Sequence, residues 1–333
     1  MPTRSLSTAA SVAVLSPSVP DDVLAARAYL TAVADAPAPA LARLVAEVGP
    51  VKAAWQVARG VAPGVVAEET TRSRLHRAPV DLAAAAAVGI RLLTPEHDEW
   101  PHSPFADLVA AAQTRPEFTP PLGLWVRGPL PVADLTRRAV AVLGPRAATS
   151  YGMHLGGEFA TELVRRDAVV VASGALGVEG AAHRGALAGR GPTIAVLPCG
   201  IDRSHPPAHA ALLESIAMSG VVVSEYPPGS VPTKRRFIAA TRLRVALVDA
   251  VVVVEAGLRS SALRVAEQAD ALRREVFAVP GPVTSAQSAG CHLLLQRGAR
   301  LATGGEQVLD DLARLHPSAA RPADRPVDEG AGR

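Results

Sequence analysis

From residue 136 onward the chain alternates between two hydrophobic patterns. Runs of four or five aliphatic residues occur near 139–143, 168–172, 193–197, 220–224, 250–254 and 275–279. Amphipathic stretches lie between them near 150–166, 179–189, 207–218 and 260–273, and two more follow near 288–297 and 305–315. An unbroken apolar run of that length suits a strand covered on both faces, and the longer periodic stretches suit helices. Strands alternating with helices at this spacing predict a Rossmann-like, doubly wound, mostly parallel α/β sheet with right-handed crossovers.

Upstream the pattern is helical. Asp21 and Asp22 offer caps for a helix through Val23, Leu24, Ala28 and Leu30. Leu41, Leu44, Val45 and Val48 share one side of 40–48, Gly49-Pro50 interrupts, and 51–58 resumes the helical pattern. Helical, alanine-rich sequence continues to about residue 90. A small N-terminal helical domain of helix-hairpin, SAM-like type is therefore expected over residues 21–85. Residues 86–135 hold two short strand-like runs and read as a connector packed on the main domain of 136–315, with Trp100 and Trp125 as packing residues. Residues 1–20 and the tail 316–333 are expected to be disordered.

Composition narrows the classes. Hydrophobic residues make up 49% of the 333, enough for a large core, and aromatics only 3%, so that core must be aliphatic. A net charge of +3 permits a nucleic-acid partner without requiring one. Nearly all the cations are arginine; Lys52 and Lys234 are the only lysines. Cys199 and Cys291 form no CxxC pair, which argues against a zinc site and fits a reducing compartment. Neither a signal peptide nor a membrane-length apolar stretch is evident, so a cytoplasmic location away from membranes is expected.

In such a sheet, ligands gather at the carboxyl ends of the strands. The first strand ends in Gly144-Pro145-Arg146, and a helix capped by Thr149 or Ser150 follows. Free N–H groups at that helix start, with Arg146 beside them, predict an anion site suited to phosphate. The second strand ends in Ser173-Gly174, with Glu179 and His183 further on. No GxGxxG run, ribose-binding acid, Walker lysine or GxSxG elbow is present, so no dinucleotide cofactor is expected. Ser173 with His183 is a weak catalytic pair, separated by a helical turn or more. The run Lys234-Arg235-Arg236-Phe237, with Arg242 close behind, sets one aromatic among cations on the same edge as Arg146. Cations that track phosphates beside a ring that stacks on a base suit single-stranded nucleic acid.

Taken in order, these pieces resemble the DNA-processing protein A (DprA, Smf) family over about Leu92 to Asp310. The residues that carry the resemblance are Gly144-Pro145-Arg146 through Gly152, Ser173-Gly174 through His183, Thr193 to Asp202, Ser224-Glu225-Tyr226-Pro227-Pro228-Gly229, Val254-Glu255-Ala256, Val279-Pro280-Gly281 and Ser288 to His292. The resemblance implies a single-stranded DNA-binding recombination mediator rather than an enzyme, acting in DNA uptake and natural transformation, without a cofactor. It further implies loading of the RecA recombinase and a homodimer formed through the Rossmann-like domain. Arg146, Lys234, Arg235, Arg236 and Arg242 would hold phosphates beside Gly144, Ser173 and Gly174, and Phe237 would stack on a base. Several positions depart from the family pattern. The Ser173 motif is one residue short, with Glu179 in place of Asp; Ala240-Thr241-Arg242 replaces Arg-Asn-Arg; and Arg244 stands where an aliphatic residue is usual. The winged-helix domain of many relatives is expected to be missing. Two other readings stay open. One is a nucleotide phosphoribohydrolase, whose Pro-Gly-Gly-x-Gly-Thr motif is not supplied by Pro280-Gly281-Pro282-Val283-Thr284; the other is an interaction module with a vestigial pocket.

Overall fold

The computed structural model describes residues 23–71 and 78–316. The segment 1–20, the Asp21 and Asp22 caps and the tail beyond His316 lie outside the described residues. Five helices come first: α1 (Val23–Val33), α2 (Pro39–Val48), α3 (Pro50–Arg59), α4 (Gly64–Glu68) and α5 (Ala78–Ala87). Then follow β1 (Ile90–Leu93), α6 (His102–Ala112), β2 (Leu124–Arg127) and α7 (Val132–Leu135). The alternating half runs β3 (Ala139–Leu143), α8 (Ser150–Arg165), β4 (Val169–Ala172), α9 (Val178–Ala188), β5 (Thr193–Leu197), α10 (Ala210–Ser219) and β6 (Val221–Ser224). It closes with α11 (Lys234–Ala246), β7 (Ala250–Val253), α12 (Ser261–Ala271), β8 (Glu275–Ala278), α13 (Ala289–Gln296), β9 (Arg300–Leu301) and α14 (Gly305–Leu315).

All these strands form one sheet in the order β1-β2-β6-β5-β4-β3-β7-β8-β9. It is parallel from β6 to β9; β2 joins β6 antiparallel and β1 joins β2 antiparallel. The doubly wound fold is thus present, with its topological switch between β3 and β7. Strand alternation divides the core. Ala139, Ala141 and Leu143 of β3 face a cluster shared with α6, α11 and α12. Val140 and Val142 face a second cluster shared with α8, α9 and α14.

Residues 86–135 do more than connect. They supply two strands, and Leu124, Trp125 and Val126 of β2 are fully buried. The N-terminal helices share their apolar core with the sheet as well: Leu30, Leu41 and Ala53 lie in one cluster with Trp125, Leu197, Leu213 and Val222. That continuity fixes the helical unit against the β2–β6–β5 edge.

Helix α11 is absent from the amphipathic stretches read from sequence. Its reason is physical: residues 239–246 are buried all round the helix, Arg242 and Arg244 among them, while its first turn is charged, so it shows no apolar stripe. Thr233 caps it, its hydroxyl accepting from the Arg236 N–H at 3.3 Å. Two-residue β9 is too short for any periodicity to mark.

Candidate functional site

The carboxyl ends of β3, β4 and β5 border a small cleft of about 40 Å³. Its walls are Arg146, Ser173 to Leu176, Pro198, His205, Pro206 and Phe237. Arg146, exposed on the loop after β3, sets its guanidinium carbon 4.8 Å from the Phe237 ring centre. His205 meets the same ring edge-on at 5.4 Å between centroids. Burial, reinforced by the Arg146 charge, pushes the His205 pKa down, so near neutral pH its ring is an uncharged wall. The arrangement offers a half-buried aromatic ring and an exposed guanidinium beside a small recess whose floor groups, the Ser173 and Ala175 N–H and the Ser173 and Gly174 carbonyls, are paired within the protein. Such a surface can hold a planar base against Phe237 and a phosphate against Arg146.

The sequence-predicted cations separate into distinct environments. Lys234 opens α11 exposed, and its side chain makes no hydrogen bond or ion pair to any described residue. Arg235 turns to the N-terminal unit, where its Nη1 lies 2.5 Å from an Asp35 carboxylate oxygen. Arg236 lies over the Tyr226 ring at 4.6 Å and donates to the Val231 carbonyl at 2.7 Å. Arg242 departs from expectation. It is 1% exposed, pairs with Glu225 through both terminal nitrogens at 2.5 and 3.0 Å, and donates to the Thr119 and Ala239 carbonyls. Its donors are consumed inside the protein, so the basic pocket foreseen around Arg242 does not include it.

The phosphate loop also differs from its expected form. Glu255, at the end of β7, reaches across the switch point to the start of α8. It accepts from the Thr149 hydroxyl at 2.5 Å and the Thr149 N–H at 3.1 Å. The Thr149 hydroxyl in turn caps the Gly152 N–H at 3.1 Å. Gly152 leaves room for this, since a Cβ there would overlap the Glu255 carboxylate and displace it. The anion favoured by the helix start is therefore the protein's own side chain. Gly144 lies outside the cleft lining, and its missing side chain makes room for Val178 of α9.

Ser173 and Gly174 do line the cleft. The Ser173 N–H donates to Glu179 at 2.6 Å and its hydroxyl accepts from the Ala175 N–H at 3.2 Å. Glu179 in turn pairs with Arg244 at 3.0 Å, both about nine-tenths buried. Two of the departures from the family pattern, the longer acid and the unexpected arginine, thus meet as one ion pair. His183 is fully buried. Its Nε2 lies 3.0 Å from the Ser173 carbonyl, not the hydroxyl, and its Nδ1 lies 2.8 Å from the Thr193 hydroxyl. Burial drives its pKa down to about 4, so it is a neutral ring that props the loop from behind. His205 and Leu176 were not singled out from sequence, although both lie just past strand ends; the length of each loop hides which residue folds back over the cleft.

Among the described residues no helix is long and apolar enough to cross a membrane.

Residues 91–313 match the family model described as DNA recombination-mediator protein A. The chain is 48% identical to the putative DNA processing protein DprA of Mycobacterium tuberculosis over 297 residues, covering 89% of this chain and 76% of the relative. It is 38% identical to the DNA processing protein DprA of Streptococcus pneumoniae over 192 residues, 58% of this chain and 67% of that one. The X-ray structure of DNA processing protein A from Streptococcus pneumoniae superposes with a TM-score of 0.65 at 27% identity, over 86% of this chain and 95% of the other. A Helicobacter pylori structure of DNA processing protein A, described for its unique single-stranded DNA binding mode, superposes with a TM-score of 0.54 at 32% identity, over 59% and 88% of the two chains.

Proposed function

The chain belongs to the DNA recombination-mediator protein A family, and from that premise we propose that it binds single-stranded DNA across the cleft at the ends of β3, β4 and β5. The observation that carries this reading is the Arg146–Phe237 pair at the mouth of that cleft, with exposed Lys234 one helical turn from the ring. A base slides against Phe237, while Arg146 and Lys234 neutralise the phosphates on either side of it. Ser173 and Gly174 provide close backbone at the floor. Arg236 lies at the margin, and Arg235 contributes to the field only as far as Asp35 leaves its charge uncompensated. The work done is binding and presentation of the strand, with no bond made or broken. Handing the strand to a RecA recombinase during DNA uptake, and doing so as a homodimer in the cytoplasm, complete the proposal; both rest on family membership.

Fluorescence anisotropy with labelled oligonucleotides tests it. The wild-type chain is expected to prefer single strands to duplex and to weaken steeply with salt. Arg146→Glu removes a phosphate contact and sets an acid beside the next, so affinity should fall by at least about tenfold and the salt slope by about one. Unchanged affinity and slope in a folded Arg146→Glu variant would overturn the site.

A further inference from the structure

We propose that α3 carries a second contact for single-stranded DNA, formed by Lys52, Trp55 and Arg59. The inference extends the reading of the Arg146–Phe237 cleft and rests on it.

The chain has only two lysines, Lys52 and Lys234. Each stands three residues before an aromatic on the same helix: Lys234 before Phe237 in α11, Lys52 before Trp55 in α3. Each of those rings has a guanidinium over it, Arg146 at 4.8 Å from Phe237 and Arg59 at 5.0 Å from Trp55. The same three groups are thus assembled twice. Two other arginines lie over rings, Arg236 over Tyr226 and Arg115 over Phe118. Those rings are 2% and 0% exposed, so no base can reach them. Phe237 and Trp55 are the members of this set, among the described residues, whose rings solvent can approach.

Spacings of three and four place Lys52, Trp55 and Arg59 on one side of α3. That side is exposed, whereas Ala53, Ala54 and Val57 fill the opposite, buried side. Trp55 is 40% exposed, so a base can reach its ring between Lys52 and Arg59. The helix contains no acid, and the nearest in sequence is Glu47 at the end of α2. Positive charge around an aromatic face complements a phosphate backbone carrying unstacked bases, the chemistry of a single strand. The two sites are also physically joined. Arg235, next to Lys234, pairs with Asp35 just past α1, and α1 packs on α3. The helical unit that carries α3 therefore touches α11 right beside Lys234.

Intrinsic fluorescence reports on this contact because Trp100 and Trp125, at 4% and 0% exposure, are shielded from a stacking base and Trp55 is not. The probes are oligothymidines of about six and about thirty nucleotides, the shorter lying across the Arg146–Phe237 mouth and the longer reaching past it. The longer probe should quench the wild-type tryptophan signal as it binds, and Trp55→Ala should abolish that quenching. Lys52→Glu combined with Trp55→Ala should weaken the longer probe about tenfold in anisotropy while leaving the shorter within about twofold. Both positions are exposed, and circular dichroism checks that the variants stay folded. Anisotropy change without quenching, with wild-type affinity in the double variant, overturns the second contact and spares the cleft. No anisotropy change with the wild-type chain overturns the cleft reading and this one with it. Quenching by duplex but not by the single strand overturns the assignment of the ligand.

Discussion

The two ends of α11 carry the same kind of side chain to opposite ends. Its first turn presents Lys234, Arg235, Arg236 and Phe237 at the surface or half-buried, while its later turns bury Arg242 and Arg244 completely or nearly so. What separates them is the position of carboxylates on the neighbouring strand ends. Glu225, just past β6, takes Arg242, and Glu179, at the start of α9, takes Arg244. Glu255, just past β7, takes the start of α8 in the same manner. Three buried acids along one edge of the sheet thus satisfy most of that edge's capacity for anions internally. Among the described residues, Arg146, Lys234 and Arg236 are cations near this edge that pair with no carboxylate; Arg146 lines the cleft, and Lys234 stands one helical turn from Phe237. The switch point between β3 and β7, where a doubly wound sheet ordinarily receives its ligand, is closed by Glu255, and the open recess lies toward β4 and β5.

The sharpest break of that comparison comes from the buried end. Arg242→Ala leaves Glu225 desolvated without its counter-ion, a change that costs about 3–5 kcal/mol in comparable buried pairs. Urea unfolding should show a loss of that order. Arg146→Ala, at the exposed end of the same array, should change stability by less than about 0.5 kcal/mol. If Arg242→Ala were as stable as the parent and instead lost DNA affinity, the division of the helix into a structural and a binding end would be wrong.

A pH series sharpens the same division from beneath the cleft. His183 sits fully buried behind Ser173, its pKa lowered from 6.5 to about 4 by burial. In the unfolded chain it takes up a proton below about pH 6.5; in the folded chain it resists until about pH 4. Its contribution is therefore fully present above pH 6.5 and lost as pH falls toward 4, to a limit of about 3 kcal/mol. Other groups also titrate there, so the informative quantity is the difference between the parent and His183→Gln. The variant should show a shallower loss of stability between those two pH values, measured by urea midpoints at each pH. Parallel curves would mean that the ring is accessible to protons, and that the cleft floor is softer than its packing suggests.

The strands were legible because each is a short aliphatic run buried on both faces, and β3 to β8 fall within a residue or two of the expected runs. Gly144, Ser173 and Phe237 read as strand or helix ends, and of these Ser173 and Phe237 line one cleft. Three things were not legible. Arg242 and Lys234 read alike as cations, since no local pattern says which one faces a buried Glu225. The acceptor at the start of α8 comes from Glu255, 106 residues away, and spacing along the chain cannot reveal it. The two strands within 86–135 read as a connector because β6, the antiparallel partner of β2, lies nearly a hundred residues downstream, and β1 joins the sheet only through β2. In each case the missing information is a long-range pairing between polar or backbone groups, which periodicity does not encode.

The smallest effect concerns Arg235, which stands between the two classes. It is mostly exposed, like Lys234, yet it is paired, like Arg242, through Asp35 of the helical unit. An exposed pair of this kind is worth up to about 1 kcal/mol, so Arg235→Ala should barely move the urea midpoint. Its effect on binding depends on where the guanidinium spends its charge. With Asp35 holding it, Arg235→Ala should weaken single-strand binding less than Lys234→Ala does. Asp35→Ala, which releases Arg235 and removes a negative charge near the cleft, should strengthen binding by about two- to threefold, and the gain should fade as salt screens it. Equal losses in Arg235→Ala and Lys234→Ala, with no gain in Asp35→Ala, would mean that phosphate draws Arg235 away from Asp35. The ion pair would then be a resting position of a DNA contact rather than the joint between α11 and the helical unit.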